Sequence, residues 1–261
     1  MSHTSMPPTP ALASWTAGTH TAEVAGRATT HPTYRKGHGP GVIIIHEMPG
    51  LTDGVIRFAE EVVAAGYTVV LPHLFGPIGR TVSGGDVMRT LPKICVNREF
   101  TKIAVGRTAP VADWLRSLAV ALHEELGGPG VGALGMCFTG GYALAMMVES
   151  ATVAPVLCQP STPFAFGQTR AADLGLSPAD LNAVVRRAAD GCSVLGVRYR
   201  SDRATGTRFD TLTDLLGDRF LKVELDGEGH STVTEQRSQH AVDSILSFFA
   251  STLDVAGRVD S

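Results

Sequence analysis

A chain of 261 residues that is 44% hydrophobic has room for one large, well-covered α/β domain, and its net charge of −3 leaves no basic surplus for gripping nucleic acid. No apolar run reaches the ~18 residues needed to span a bilayer, and the opening MSHTSMPPTPALASWTAG has neither the basic nor the apolar segment of a secretory signal. The four cysteines, Cys95, Cys137, Cys158 and Cys192, fall at no CxxC or Cys/His metal spacing, so reduced thiols in a cytoplasmic protein without metal or cofactor are expected.

Residues 1–13, rich in Pro, Ser and Thr, read as a disordered tail. SWTAGTHTAEVAGRATT is too polar for a buried strand and suits an edge hairpin. GVIIIHE (41–47) is a β-branched run fit for a strand buried on both faces, and DGVIRFAEEVVAAG (53–66) has helical periodicity with Asp53 as cap and Gly66 as stop. YTVVLPHLFG is a second buried strand ending at Pro72; 73–97 is Gly/Pro-rich and long for a plain connection. A helix is expected over 106–126, then the strand PGVGALGM, the helix FTGGYALAMMVES and the strand TVAPVLCQ. LSPADLNAVVRRAADG has a full helix-start signature in Ser177, Pro178 and Asp180. SVLGVRYR, RFDTLTDLLGD, RFLKVELDG and EQRSQHAVDSILSFFAS continue as strand, helix, strand and final helix. Strands alternating with helices imply a mostly parallel central sheet covered on both faces. No internal break divides it, so one domain is expected over 14–253 with a loose end at 254–261.

The stretch VGALGMCFTGG (131–141) places a thiol where a strand turns sharply into a helix. Strand, Gly-x-nucleophile and a helix packed through small residues is the recipe for a nucleophile elbow, and a helix start favours a thiolate. Thr139 departs from the usual Gly-x-Ser-x-Gly pattern, and the competing reading is a buried cysteine beside packing glycines. In this type of fold an acid and then a histidine follow the nucleophile, each just past a strand end. RSDR supplies Asp202 and GEGHS supplies His230; Asp226 and Glu228 are alternative acids on the histidine's own loop. A turn carboxylate on the surface is the competing reading of Asp202. Glu47, directly after a buried strand, needs either a function or an ion-pair partner.

HEMPGL, GMCFTGG, RSDR and GEGHS together resemble the dienelactone hydrolase family of α/β hydrolases, over most of residues 41–250. The resemblance implies a Cys–His–Asp triad with Cys137 as nucleophile, His230 as general base and then acid, and Asp202 orienting the ring. It also implies that Glu47 approaches the cysteine and helps to activate it when substrate binds. The oxyanion hole is then expected from the backbone N–H groups of Met48 and Phe138. His46 is assigned to packing or loop hydrogen bonding; Cys95, Cys158 and Cys192 are read as structural, with Cys158 the most exposed of the three.

Family members acting on dienelactone hold its carboxylate with arginines, one of them four residues beyond the histidine. That position is Thr234 here, the nearest arginine is Arg237, and Arg80 and Arg98 are the candidate substitutes. The expected activity is hydrolysis of a small-molecule lactone or carboxylic ester through an acyl-enzyme. A thioesterase or broad carboxylesterase on the same triad is the alternative, and a non-catalytic thiol sensor or ligand-binding protein is the alternative of another class.

Overall fold

The computed structural model describes residues 10–79, 106–162, 164–165 and 167–253. Its sheet has eight strands: β1 (Thr16–Val24), β2 (Arg27–Lys36), β3 (Gly41–Ile45), β4 (Thr68–Pro72), β5 (Val131–Met136), β6 (Thr152–Cys158), β7 (Val194–Tyr199) and β8 (Phe220–Leu225). They lie in the order β1-β2-β4-β3-β5-β6-β7-β8. β1 and β2 form the expected polar edge hairpin, β2 pairs antiparallel with β4, and β4 through β8 run parallel.

The apolar runs of β3, β4 and β5 are buried along their whole length because both sheet faces are covered. Alternation then divides each strand between two cores. Val42 and Ile44 join the helices α1 (Asp53–Ala64) and α7 (Gln239–Leu253) on one face. Ile43 and Ile45 join α2 (Val111–Leu126), α3 (Gly140–Met146), α5 (Pro178–Ala189) and α6 (Arg208–Leu216) on the other. A short helix, α4 (Gln168–Ala172), precedes α5. Among the described residues no helix is long and apolar enough to cross a membrane.

Several local expectations shift. Within the expected tail, Pro10–Leu12 forms one 3-10 turn, anchored by the fully buried Leu12. Thr52, not Asp53, caps α1, because its extended backbone lets Oγ1 accept from Val55 N while Asp53 is already helical. Ser177 caps α5 as its sequence signature indicates. α2 starts at Val111 rather than 106, just after Pro110. The last helix starts at Gln239, since residues 235–238 are spent on the turn that carries His230. Cys158 is fully buried, not the most exposed of the structural thiols; Cys192 is only partly buried, and Cys95 lies outside the described residues. β6 runs in the sheet interior between β5 and β7, which is why its last residue is covered.

One charged side chain holds the edge of the site. Arg208, at the start of α6, is 1% exposed, and its guanidinium donates to the carbonyls of Asp173, Ala204, Thr205 and Arg170. Burial draws its pKa down to about 10, with the charge of Asp173 pulling the other way. Two of those carbonyls belong to the 3-10 turn Arg203–Thr205 that follows Asp202. Arg208→Met should therefore cost ~3–5 kcal/mol in urea denaturation, because it strands buried carbonyls together with their turn.

Candidate active site

Cys137 sits at the C-terminal end of β5 with φ 52, a left-handed conformation that non-glycine residues rarely adopt. The strand's extended course, still present at Met136 (φ −137, ψ 144), reverses there into the 3-10 turn Cys137–Thr139 and then α3. Gly135 is required because a Cβ on it would lie 2.2 Å from the carbonyl oxygen of Thr139. Thr139 is fully buried and its hydroxyl accepts from Met136 N at 3.1 Å. Its own proton faces the carbonyls of Ile45, His46 and Met136 at 3.1–3.2 Å. The residue that breaks the usual motif thus ties the elbow to the end of β3.

His46 and Glu47 follow β3 and are both buried. Leu74 N donates to His46 Nε2 at 3.1 Å, so Nδ1 carries the ring proton and donates to Glu47 O at 3.0 Å. Burial, reinforced by His73, pulls the His46 pKa down to about 3, so it stays a neutral strut, and its two bonds are the loop hydrogen bonding read from the sequence. The first residues of the irregular segment lock onto the loop that leads through Met48. Leu51 N donates to Pro77 O, Gly79 N donates to Leu51 O, and a Cβ on Gly76 would collide with Pro49 O at 1.7 Å. Phe75 packs edge-on against His46 and Phe138.

Asp202 and His230 meet from two neighbouring strand ends, β7 and β8. His230 Nδ1 lies 2.9 Å from Asp202 Oδ2, with the Asp202 side chain 5% exposed. Asp202 also accepts from Thr205 Oγ1 and Ala204 N. With Nδ1 engaged by Asp202, Nε2 is the ring nitrogen left to serve Cys137, whose interaction with the imidazole favours its protonated form. Burial alone would depress the imidazole, but the Asp202 hydrogen bond and the interaction with Cys137 outweigh it and push its pKa up to about 10. Burial would likewise raise Asp202, yet His230 and the two further donors hold it below the usual carboxylate range. Gln236 braces the loop: its Oε1 accepts from His230 N and Ser231 N, and its carbonyl accepts from Tyr199. The alternative acids face away, Asp226 being 96% exposed and paired with Arg200, and Glu228 exposed.

Glu47 is 4% exposed and is held by hydroxyls and an amide rather than by an arginine. Thr234 donates to Oε1; Ser231 at 3.1 Å and Gln159 Nε2 at 3.4 Å donate to Oε2. Burial raises its pKa against the pull of those donors and of His230. None of the described bonds to Glu47 comes from Cys137. Thr234, noted in the sequence only as a missing arginine, is therefore a Glu47 ligand, and Arg237 is spent on Glu61. Arg80 and Arg98 lie outside the described residues. The polar residues that sequence reasoning passed over are Gln159, Ser161, Ser231 and Thr232. Their only signal is polar side chains gathered beyond strand ends, in CQPST at the end of β6 and in HSTVT in the loop after β8. Cys158, below this cluster, is pushed up to about 12 by burial, opposed by a Thr232 hydrogen bond and reinforced by Glu47.

The sequence model of the dienelactone hydrolase family matches residues 27–160. Among solved structures, a dienelactone hydrolase from Anabaena variabilis superposes with TM-score 0.59 at 15% identity, covering 92% of this chain and 99% of that one. The α/β hydrolase GrgF from Penicillium sp. gives TM-score 0.65 at 12% identity over 92% and 99%. A dienelactone hydrolase-like promiscuous phosphotriesterase from metagenomic libraries gives 0.61 at 14% over 91% and 99%. Comparison with curated protein sequences returns no match.

The paired loops have a pH signature. A raised histidine pKa stabilises the fold fully below its unfolded value near 6.5 and ceases to do so as pH rises through about 10. The stability advantage of wild type over His230→Gln, measured by urea denaturation, should accordingly shrink steadily across that window.

Proposed function

The chain belongs to the dienelactone hydrolase family and is an α/β hydrolase acting on ester bonds, and from that premise we propose that it cleaves a small lactone or carboxylic ester through an acyl-enzyme on Cys137. The observation that supports this reading most strongly is an imidazole held at Nδ1 by Asp202, together with a cysteine perched at φ 52 on an elbow. With its pKa raised to about 10, His230 holds a proton at neutral pH, and the attacking form of Cys137 is its thiolate. Attack forms a carbon–sulfur bond and moves the carbonyl electron pair onto oxygen. The N–H groups of Met48 and Phe138 are proposed to receive that charge; Phe138 N, near the start of a helical turn, lacks an intrahelical acceptor. Collapse breaks the bond to the leaving oxygen, which takes the proton from His230 Nε2. A water then gives a proton back to the ring and attacks the thioester, releasing the acid and restoring the thiolate.

Glu47 is proposed as the carboxylate that reaches the sulfur once substrate is bound, leaving the Thr234, Ser231 and Gln159 donors that hold it at rest. On the histidine side of the site, Thr234 stands where a carboxylate-binding arginine would be expected and is occupied by Glu47. This favours an uncharged ester or lactone on that side, and the wider alternative, a thioester, uses the same steps. A thiol sensor would have no use for the Asp202–His230 pair.

Cys137→Ala should lower hydrolysis of an activated aryl ester by several orders of magnitude, whereas Cys158→Ala and Cys192→Ala keep most of it; near-normal turnover by Cys137→Ala would remove the nucleophile assignment. Asp202→Asn should lower kcat far more than Asp226→Asn, since only Asp202 holds the ring. Single-turnover acylation should be slowed by Glu47→Gln across pH, with the Asp202–His230 pair intact, and an unchanged rate would leave Glu47 a structural residue.

A further inference from the structure

β6 ends at Cys158, and the stretch Gln159-Pro160-Ser161-Thr162 that follows it clamps the elbow. Gln159, fully buried at φ 35, turns the chain toward β5. Ser161 N donates to Cys137 O at 3.0 Å, and Thr162 Oγ1 donates to Phe138 O at 2.6 Å. A Cβ on Gly140 would come within 2.6 Å of Pro160 Cα, so helix and clamp are in direct contact. Ser161 itself is 4% exposed, and its Oγ lies 3.4 Å from Cys137 Sγ.

We propose that Ser161 is a further catalytic residue, whose hydroxyl donates a hydrogen bond to the Cys137 thiolate and holds the sulfur in place. This rests on Cys137 being the nucleophile. The direction of the bond follows from the partners. A thiolate, the attacking form of a cysteine nucleophile, has lone pairs to offer and no proton, whereas a serine hydroxyl has one proton to place. Among the described residues no other acceptor takes it. Because Ser161 N is anchored to Cys137 O, the hydroxyl is carried on the same backbone contact that shapes the elbow, and it reaches the sulfur without a long, mobile side chain. A hydrogen bond to a charged acceptor is among the stronger ones, so it favours the thiolate over the thiol.

The test is the rate at which iodoacetamide alkylates Cys137 as a function of pH, followed by peptide mass spectrometry in the full chain. Ser161→Ala should move the half-maximal pH upward and slow alkylation ~10-fold on the acid side, as loss of one charge-assisted donor implies. Ser161→Thr and Ser161→Val, nearly equal in shape, separate hydrogen bonding from packing: Thr should keep the wild-type profile and Val should shift as Ala does. A wild-type profile in both Ser161→Ala and Ser161→Val, or an equal shift in Thr and Val, would overturn the proposal. Failure of the nucleophile assignment shows itself separately, as turnover surviving in Cys137→Ala, while the alkylation profile still reports on Ser161.

Discussion

Holding a cysteine at φ 52 at the end of a buried parallel strand is the constraint from which the site follows. A left-handed backbone at a non-glycine residue costs ~1–3 kcal/mol, and it persists only where its surroundings over-determine it. Here four neighbours do so. Gly135 lets the Thr139 carbonyl close over the strand, the Thr139 hydroxyl pins the turn to β3, and the Ser161 and Thr162 contacts close it from β6. The elbow is braced by the strands on either side of it, and the brace from β6 brings Ser161 to the sulfur.

The loops after β3, β7 and β8 carry ionisable groups whose environments separate their roles. Asp202 is covered yet supplied with three donors, which keeps it charged. That charge lets a partly buried imidazole remain an imidazolium. Glu47, more deeply covered and served by hydroxyls and an amide, is driven toward its neutral form. Two carboxyl groups near one histidine are thus tuned in opposite directions by the donors available to them. The neutral strut His46 belongs to the same arrangement: by joining Leu74 N to Glu47 O it couples the loop after β3 to the segment after β4.

The strand and helix pattern was legible because parallel strands covered on both faces must be apolar throughout, and GVIII, TVVLP and VGALGM are. The corner at Cys137 and the order of Asp202 and His230 were legible too, since glycine spacing and the placement of polar residues after buried strands are local properties of the chain. Helix starts were less so: Thr52 and Asp53 are both good caps, and the choice between them is a matter of backbone angle. Residues 235–238 look helical, yet the loop spends Gln236 on the amides of His230 and Ser231, which no periodicity reveals.

Sequence by itself determined the layers, the family resemblance and which side chains could react, because each depends on residue type and short spacing. Tertiary structure alone decided the partners. Thr234 and Ser231 reach Glu47 across more than 180 positions, and Ser161 reaches Cys137 because β6 is hydrogen-bonded beside β5. Cys158 is sealed because its strand lies in the sheet interior. Such contacts come from the order in which strands assemble, and the chain's own spacing does not encode that order locally.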